Sequence, residues 1–164
     1  DYFSKTLNTY TDPNNTEEKL VKNLEIMGLE PIVKNDENTA TGEMSVIRTS
    51  KAFPGTRYFH AQYFSDTNGG THLQHSSFEF KPGPESFSKA INKIKKTFNL
   101  PKKLKIDNPN LKAWSIADGY IVWVKNMSKT DLENDLFNAY TDSDIGTIRV
   151  AVELDPHAAG DHSH

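Results

Sequence analysis

The chain has 164 residues, a net charge of -3 and a pI near 6.1, so it lacks the basic footprint of a nucleic-acid binder. Only 35% of residues are hydrophobic, and no apolar run nears the ~18 residues of a membrane-spanning helix. One domain fits this length, with a core lean enough that a partner is expected to cover part of its apolar surface.

Residues 1–15 are polar and irregular. The first helix is expected after Asn15 or Thr16, both capping types, with Glu17 and Glu18 at its positive end. Leu20, Val21, Leu24 and Met27 form its apolar stripe, and Gly28 ends it. The polar run 34–41 reads as a loop leading to a strand over 42–49. Strands over 57–65 and 71–80 flank Asn68-Gly69, the strongest short hairpin signal. A two-residue turn there sets Phe59 opposite Phe78, Ala61 opposite Ser76 and Tyr63 opposite Gln74 on the core face. On the other face it sets His60 opposite Ser77 and Gln62 opposite His75, with His72 away from that pair of histidines.

A second helix opens at Pro84 and is spaced by Phe87, Ala90, Ile91, Ile94 and Phe98, with Pro101 closing it. Residues 101–110 read as a loop. Strands over 112–117 and 120–126 surround Asp118-Gly119, in a register that places Trp114 directly opposite Trp123. A third helix is capped by Ser128 with Asp131 as partner, and carries Leu132, Leu136, Ala139 and Tyr140 as its stripe. A final strand covers 147–154. The order α-βββ-α-ββ-α-β predicts an α+β domain, an antiparallel sheet of about five to six strands with helices packed mainly on one face. In order alone the first eight elements resemble the fold of type III secretion chaperones. No motif goes with that order, so the resemblance implies a fold and no function. The domain is expected over 16–155, followed by a histidine-rich tail over 156–164.

That tail concentrates the ligand chemistry. His157, Asp161, His162 and His164 supply imidazoles and a carboxylate, the donors that zinc and copper take, so they are the first candidates for a metal site. His60 and His75 are a weaker second pair, diagonal neighbours on one sheet face with Gln62 between them; an exposed polar face is the plainer reading. No His-Glu-x-x-His, Gly-x-Ser-x-Gly or phosphate-cradling loop is present, and Asp142-Ser143-Asp144 lacks the later ligands of a calcium loop. No catalytic residue is assigned. Lysines from Lys89 to Lys105 cover the outer side of the second helix, without the arginines that fork phosphates. They read as a solvated face, with a contact to an anionic membrane surface or an acidic partner as the sharper alternative.

The chain has no cysteine and begins at Asp1. The start fits either a removed signal segment or a fragment of a longer chain, and with the missing cysteine the expectation is an exported bacterial domain, periplasmic or outer-membrane associated, for which a lipid anchor is a further expectation. The functional expectation is a non-enzymatic domain acting through protein–protein contacts in a larger envelope or secretion-type assembly. Tyr120, Trp123 and Trp114 are the contact candidates, because aromatic residues anchor interfaces. The alternative is a periplasmic metal-binding protein that uses the tail with zinc or copper.

Overall fold

The computed structural model describes residues 16–39, 42–52, 55–66, 71–83, 87–116, 119–136 and 138–155. Within them the order is α1 (Glu17–Ile26), β1 (Pro31–Thr39), β2 (Gly42–Thr49), β3 (Thr56–Asp66), β4 (Thr71–Phe80) and α2 (Phe87–Phe98). The chain continues through β5 (Ile106–Asn108), β6 (Leu111–Ser115), β7 (Tyr120–Asn126), α3 (Lys129–Glu133) and β8 (Ile148–Leu154). All strands join one antiparallel sheet in the order β1-β2-β3-β4-β8-β7-β6-β5. The expected α+β sheet of five to six strands with helices packed mainly on one face is therefore corrected. Among the described residues the protein is mostly an eight-stranded sheet with three short helices.

The two unforeseen strands are the edges. β1 contains Asn35, Asp36 and Asn38, residue types depleted from strands, and reads as a loop until β2 supplies its partner. β5 spans three residues inside the expected 101–110 loop. Polar or short edges are how sheets avoid adding foreign strands, so the features that hid these strands from the sequence also suit their position.

Thr16 caps α1, its hydroxyl accepting from the Lys19 amide at 3.2 Å. Leu20 and Leu24 of α1 and Ala90 and Ile94 of α2 are buried with Ile47, Tyr63, Phe78, Trp114, Val122 and Val150 in one cluster. Alternation places the residues between these on the other face: Arg48, His60, Gln62, Ser77, Glu79, Arg149 and Trp123.

The β3–β4 register holds at His60↔Ser77, Ala61↔Ser76 and Gln62↔His75. It then slips by one at Gln74, so Tyr63 faces Leu73 rather than Gln74. The bulge exchanges a glutamine for a leucine in the core, and Leu73 and Tyr63 are both buried. It also carries His72 to the histidine face, beside Phe64 at 5.8 Å between ring centroids. A second bulge lies at Tyr58, whose φ of 55° is unusual for a bulky residue.

In the β6–β7 hairpin Trp114 pairs with Val122, and Trp123 with Ala113. The expected Trp114–Trp123 pair does not form. A one-residue shift places Trp114 in the core and Trp123 on the opposite face. The third helix is also shorter than its apolar stripe suggested. It ends at Glu133, Leu136 is 89% exposed, and the chain from Asn134 turns toward the sheet face opposite α1 and α2. Asn68-Gly69, Pro84 and Asp118, which carried the turn and helix-start expectations, lie outside the described residues, as do 1–15 and 156–164.

Candidate functional site

The sheet face away from α1 and α2 is the candidate site. It forms a groove of about 1150 Å³ over β1, β2, β3, β4 and β8, bounded at one end by residues of the α3–β8 connection. Two cross-strand rows make its floor, because antiparallel partners on one face stand side by side. In the first, Ile32, Arg48, His60, Ser77, Ala151 and Trp123 follow one another from β1 to β7. In the second, Lys34, Val46, Gln62, His75 and Glu153 do the same. The groove is lined by Ile32, Arg48, His60 and Ser77 of the first row and by Lys34, Val46, Gln62 and His75 of the second.

The end wall is a charged ladder. Arg57, Glu79 and Arg149 are consecutive cross-strand partners on β3, β4 and β8. Arg57 Nε donates to Glu79 Oε1 at 3.3 Å, and Arg149 Nε and Nη2 donate to Glu79 Oε2 at 2.9 and 2.6 Å. The α3–β8 connection closes over them: Arg149 Nη2 reaches Asp135 at 2.7 Å, and Arg57 Nη1 reaches Asp144 at 2.8 Å. Tyr140 donates its hydroxyl to Glu79 Oε2 at 2.6 Å, and burial followed by that carboxylate holds the phenol well above its ordinary pKa. With Glu79 only 1% exposed, this wall is a fully partnered clamp that fastens the connection to the sheet. Tyr58, projected by its bulge, adds an edge-on contact to Tyr140 at 5.7 Å and a hydrogen bond to the Ala139 carbonyl at 3.0 Å.

The floor is different. His60 and His75 lie 5.7 Å apart between ring centroids. Burial, then His75 and Arg48, push His60 down to about 4, and burial followed by Arg149 lowers His75. Both rings are therefore neutral at pH 7. His75 Nδ1 lies 3.2 Å from Glu153 Oε2, which we assign as a neutral imidazole donating to a carboxylate rather than as an ion pair. Trp123 Nε1 donates to the other Glu153 oxygen at 3.0 Å. Among the described residues Lys34 and Arg48 make no ion pair, whereas the remaining cations lining the groove, Lys51, Arg57 and Arg149, are all paired.

His60's shift has a consequence for stability. The unfolded chain binds a proton there below about pH 6.5, and the folded chain only below about 4, so stability falls as pH drops between them. Allowing for the solvent that reaches the ring, the loss is about 1–2 kcal/mol. His60→Gln should remove that part of the difference between urea midpoints at pH 7 and pH 4.5. An unchanged difference would show that His60 titrates normally.

The structure thus brings His60 and His75 together, while His157, Asp161, His162 and His164 lie outside the described residues. No group of three or more metal-ligating side chains occurs among the described residues. Of the contact candidates, Trp123 is half-buried on the groove side of the sheet. Trp114 is wholly buried, and Tyr120 is 6% exposed with its hydroxyl donating to the Leu73 carbonyl at 2.5 Å. The Arg57–Glu79–Arg149 ladder was missed. Its signal was the alternation itself, since opposite charges stand at facing positions once the strands are paired. No described helix is long and apolar enough to cross a membrane. No family model, curated protein or solved structure matches the chain.

Proposed function

We propose that the protein is a non-enzymatic, exported domain of a periplasmic or outer-membrane-associated assembly, and that the groove on its open sheet face receives an acidic segment of a protein partner. The observation that carries this reading is the pairing pattern of the lining. Five lysines and arginines line the groove against two carboxylates, Glu79 and Asp135, and only Lys34 and Arg48 lack an ion partner among the described residues. Both point to an incoming carboxylate, since opposite charge steers and orients an encounter. Beside them Ile32 is 55% exposed and Tyr58 39%, apolar surface that a partner would remove from water. A chain with net charge -3 is itself acidic, so the positive groove is a local feature and not the average of the surface.

Reversing both unpaired charges, Lys34→Glu with Arg48→Glu, should weaken partner recovery from native membranes at least tenfold. The protein recovered with wild-type chain should carry an acidic segment at the contact. The matching reversal on α2, Lys95→Glu with Lys96→Glu, should leave recovery unchanged. The opposite pattern would move the contact to the helix and end this reading.

A second reading, metal handling by the tail, is favoured by one observation. The tail's own composition supplies it, three imidazoles and a carboxylate at His157, Asp161, His162 and His164. Removal of 156–164 should then abolish zinc or copper(II) uptake measured by calorimetry, and uptake should weaken below about pH 6 as imidazoles protonate. Equal heats from the full and shortened chains would exclude it.

A further inference from the structure

We infer that Arg48, His60 and His75 form a carboxylate-binding subsite in the groove floor, whose grip tightens on acidification. This inference rests on the proposed acidic partner and names the atoms that would hold it.

Arg48 and His60 are direct cross-strand partners on β2 and β3, and His60 meets His75 of β4 at 5.7 Å. Three potential cations from three strands therefore converge on one patch. Gln62 and Ser77, also on this face, can add neutral donors. A metal ion suits this patch poorly, because Arg48 already places positive charge beside His60. Two imidazoles alone also fall short of the three or four ligands that zinc takes from protein. An anion reverses the balance. A carboxylate accepts from the guanidinium and from imidazole N–H groups, and its charge works against the burial, and after it the repulsion from His75 and Arg48, that keep His60 neutral.

The charged groups facing these rings have been placed on every neighbouring strand. Arg48 on β2 and Lys34 on β1 favour the anion. Glu153 on β8 is occupied by His75 Nδ1 and Trp123 Nε1, and burial raises its own pKa. Arg149 on β8 is paired with Glu79 of β4 within the clamp and still adds positive charge near His75, which also favours the anion. The ring of His75 that Glu153 holds by Nδ1 is left to offer Nε2 to the groove. At neutral pH that atom carries a lone pair; once protonated it donates.

Linkage gives the sign and size. In the empty groove His60 gains its proton near pH 4, and beside a bound carboxylate its pKa should return to the ordinary 6.5 or higher. Binding then takes up a proton, and affinity at pH 5.5 should exceed that at pH 7.5 about tenfold. A solvated surface arginine would show no such change, because its charge is constant over this range.

The test uses the full chain and an acetylated tetraglutamate peptide as probe, with imidazole resonances and binding followed together by NMR at pH 5.5 and 7.5. The expected result is about tenfold tighter binding at pH 5.5, with His60 titrating higher in the presence of peptide. Arg48→Gln should weaken binding at both pH values, and His60→Gln should remove the pH dependence while retaining binding at pH 7.5. His75→Gln, with far-UV circular dichroism to confirm folding, is the second variant if His60→Gln fails to fold. Absence of binding, binding equal at the two pH values, or binding undiminished in Arg48→Gln would overturn the subsite. Zinc displacing the peptide stoichiometrically would replace it with a metal site. The broader contact reading fails separately. If the charge reversal at Lys34 and Arg48 abolishes partner recovery while the peptide result is pH-independent, the contact stands and the proton-linked subsite falls.

Discussion

Glu79→Ala should cost about 3–5 kcal/mol and release the α3–β8 connection from the sheet. The carboxylate is buried between two guanidiniums and also accepts from the Tyr140 hydroxyl, so its removal sets two partly buried like charges side by side, each left only its partner on the connection, Asp144 for Arg57 and Asp135 for Arg149. A buried pair contributes little net stability when intact, because both ions were desolvated to make it, but losing one member exposes the whole desolvation cost of the other. Asp144→Ala gives the contrast. Its carboxylate is more exposed than that of Glu79, and Arg57 keeps Glu79 when it is removed, so the loss should be clearly smaller than that of the Glu79 variant. Hydrogen exchange at Gly146 and Thr147 should quicken in the Glu79 variant, since their amides are tied to Met127 and Asp144 within the released connection. Equal stability of the Glu79 and Asp144 variants would mean that the ladder is solvated.

Phe78→Ala should also cost about 3–5 kcal/mol, for a different reason. Phe78 is 1% exposed, stacks edge-on with Phe80 at 5.1 Å and pairs across the sheet with Val150, so truncation leaves a cavity between sheet and helices. Its chain neighbour Ser77 points into the groove, and Ser77→Ala should change the denaturant midpoint little, by roughly 0.5 kcal/mol or less. The alternation of a large and a negligible effect at adjacent positions is the signature of a sheet with one covered and one open face. A large loss at Ser77 would show that the groove face is filled.

These two residues also show what a sequence reveals and where it stops. Phe59, Phe78 and the His60–Gln62 segment were legible because alternation and Asn68-Gly69 pointed to the same register. The register could not be followed past Gln74, because a bulge is chosen by the tertiary gain of burying Leu73, which local pattern does not contain. The same limit applied to Trp114 and Trp123. A turn shifted by one residue reverses both faces, and either tryptophan is compatible with the core until the partner strand β8 brings Ala151 opposite Trp123. β1 was hidden by its own polarity. The histidine pair was readable from spacing, whereas Arg48 came from a strand whose partner in β3 sequence gave no means to assign. The charged clamp required four separate segments to meet, and only the fold brings them together.

The central claim, that the groove is the partner's seat, is tested most directly by a photo-crosslinking residue placed at Gln62 in the groove floor, with Lys95 on α2 as the comparison site. Crosslinking in native cells should yield, from position 62, one adduct whose attached peptide is acidic, and the adduct should disappear when Lys34 and Arg48 are reversed to glutamate. An adduct formed only from position 95, or one from position 62 that survives the charge reversal, would contradict the account.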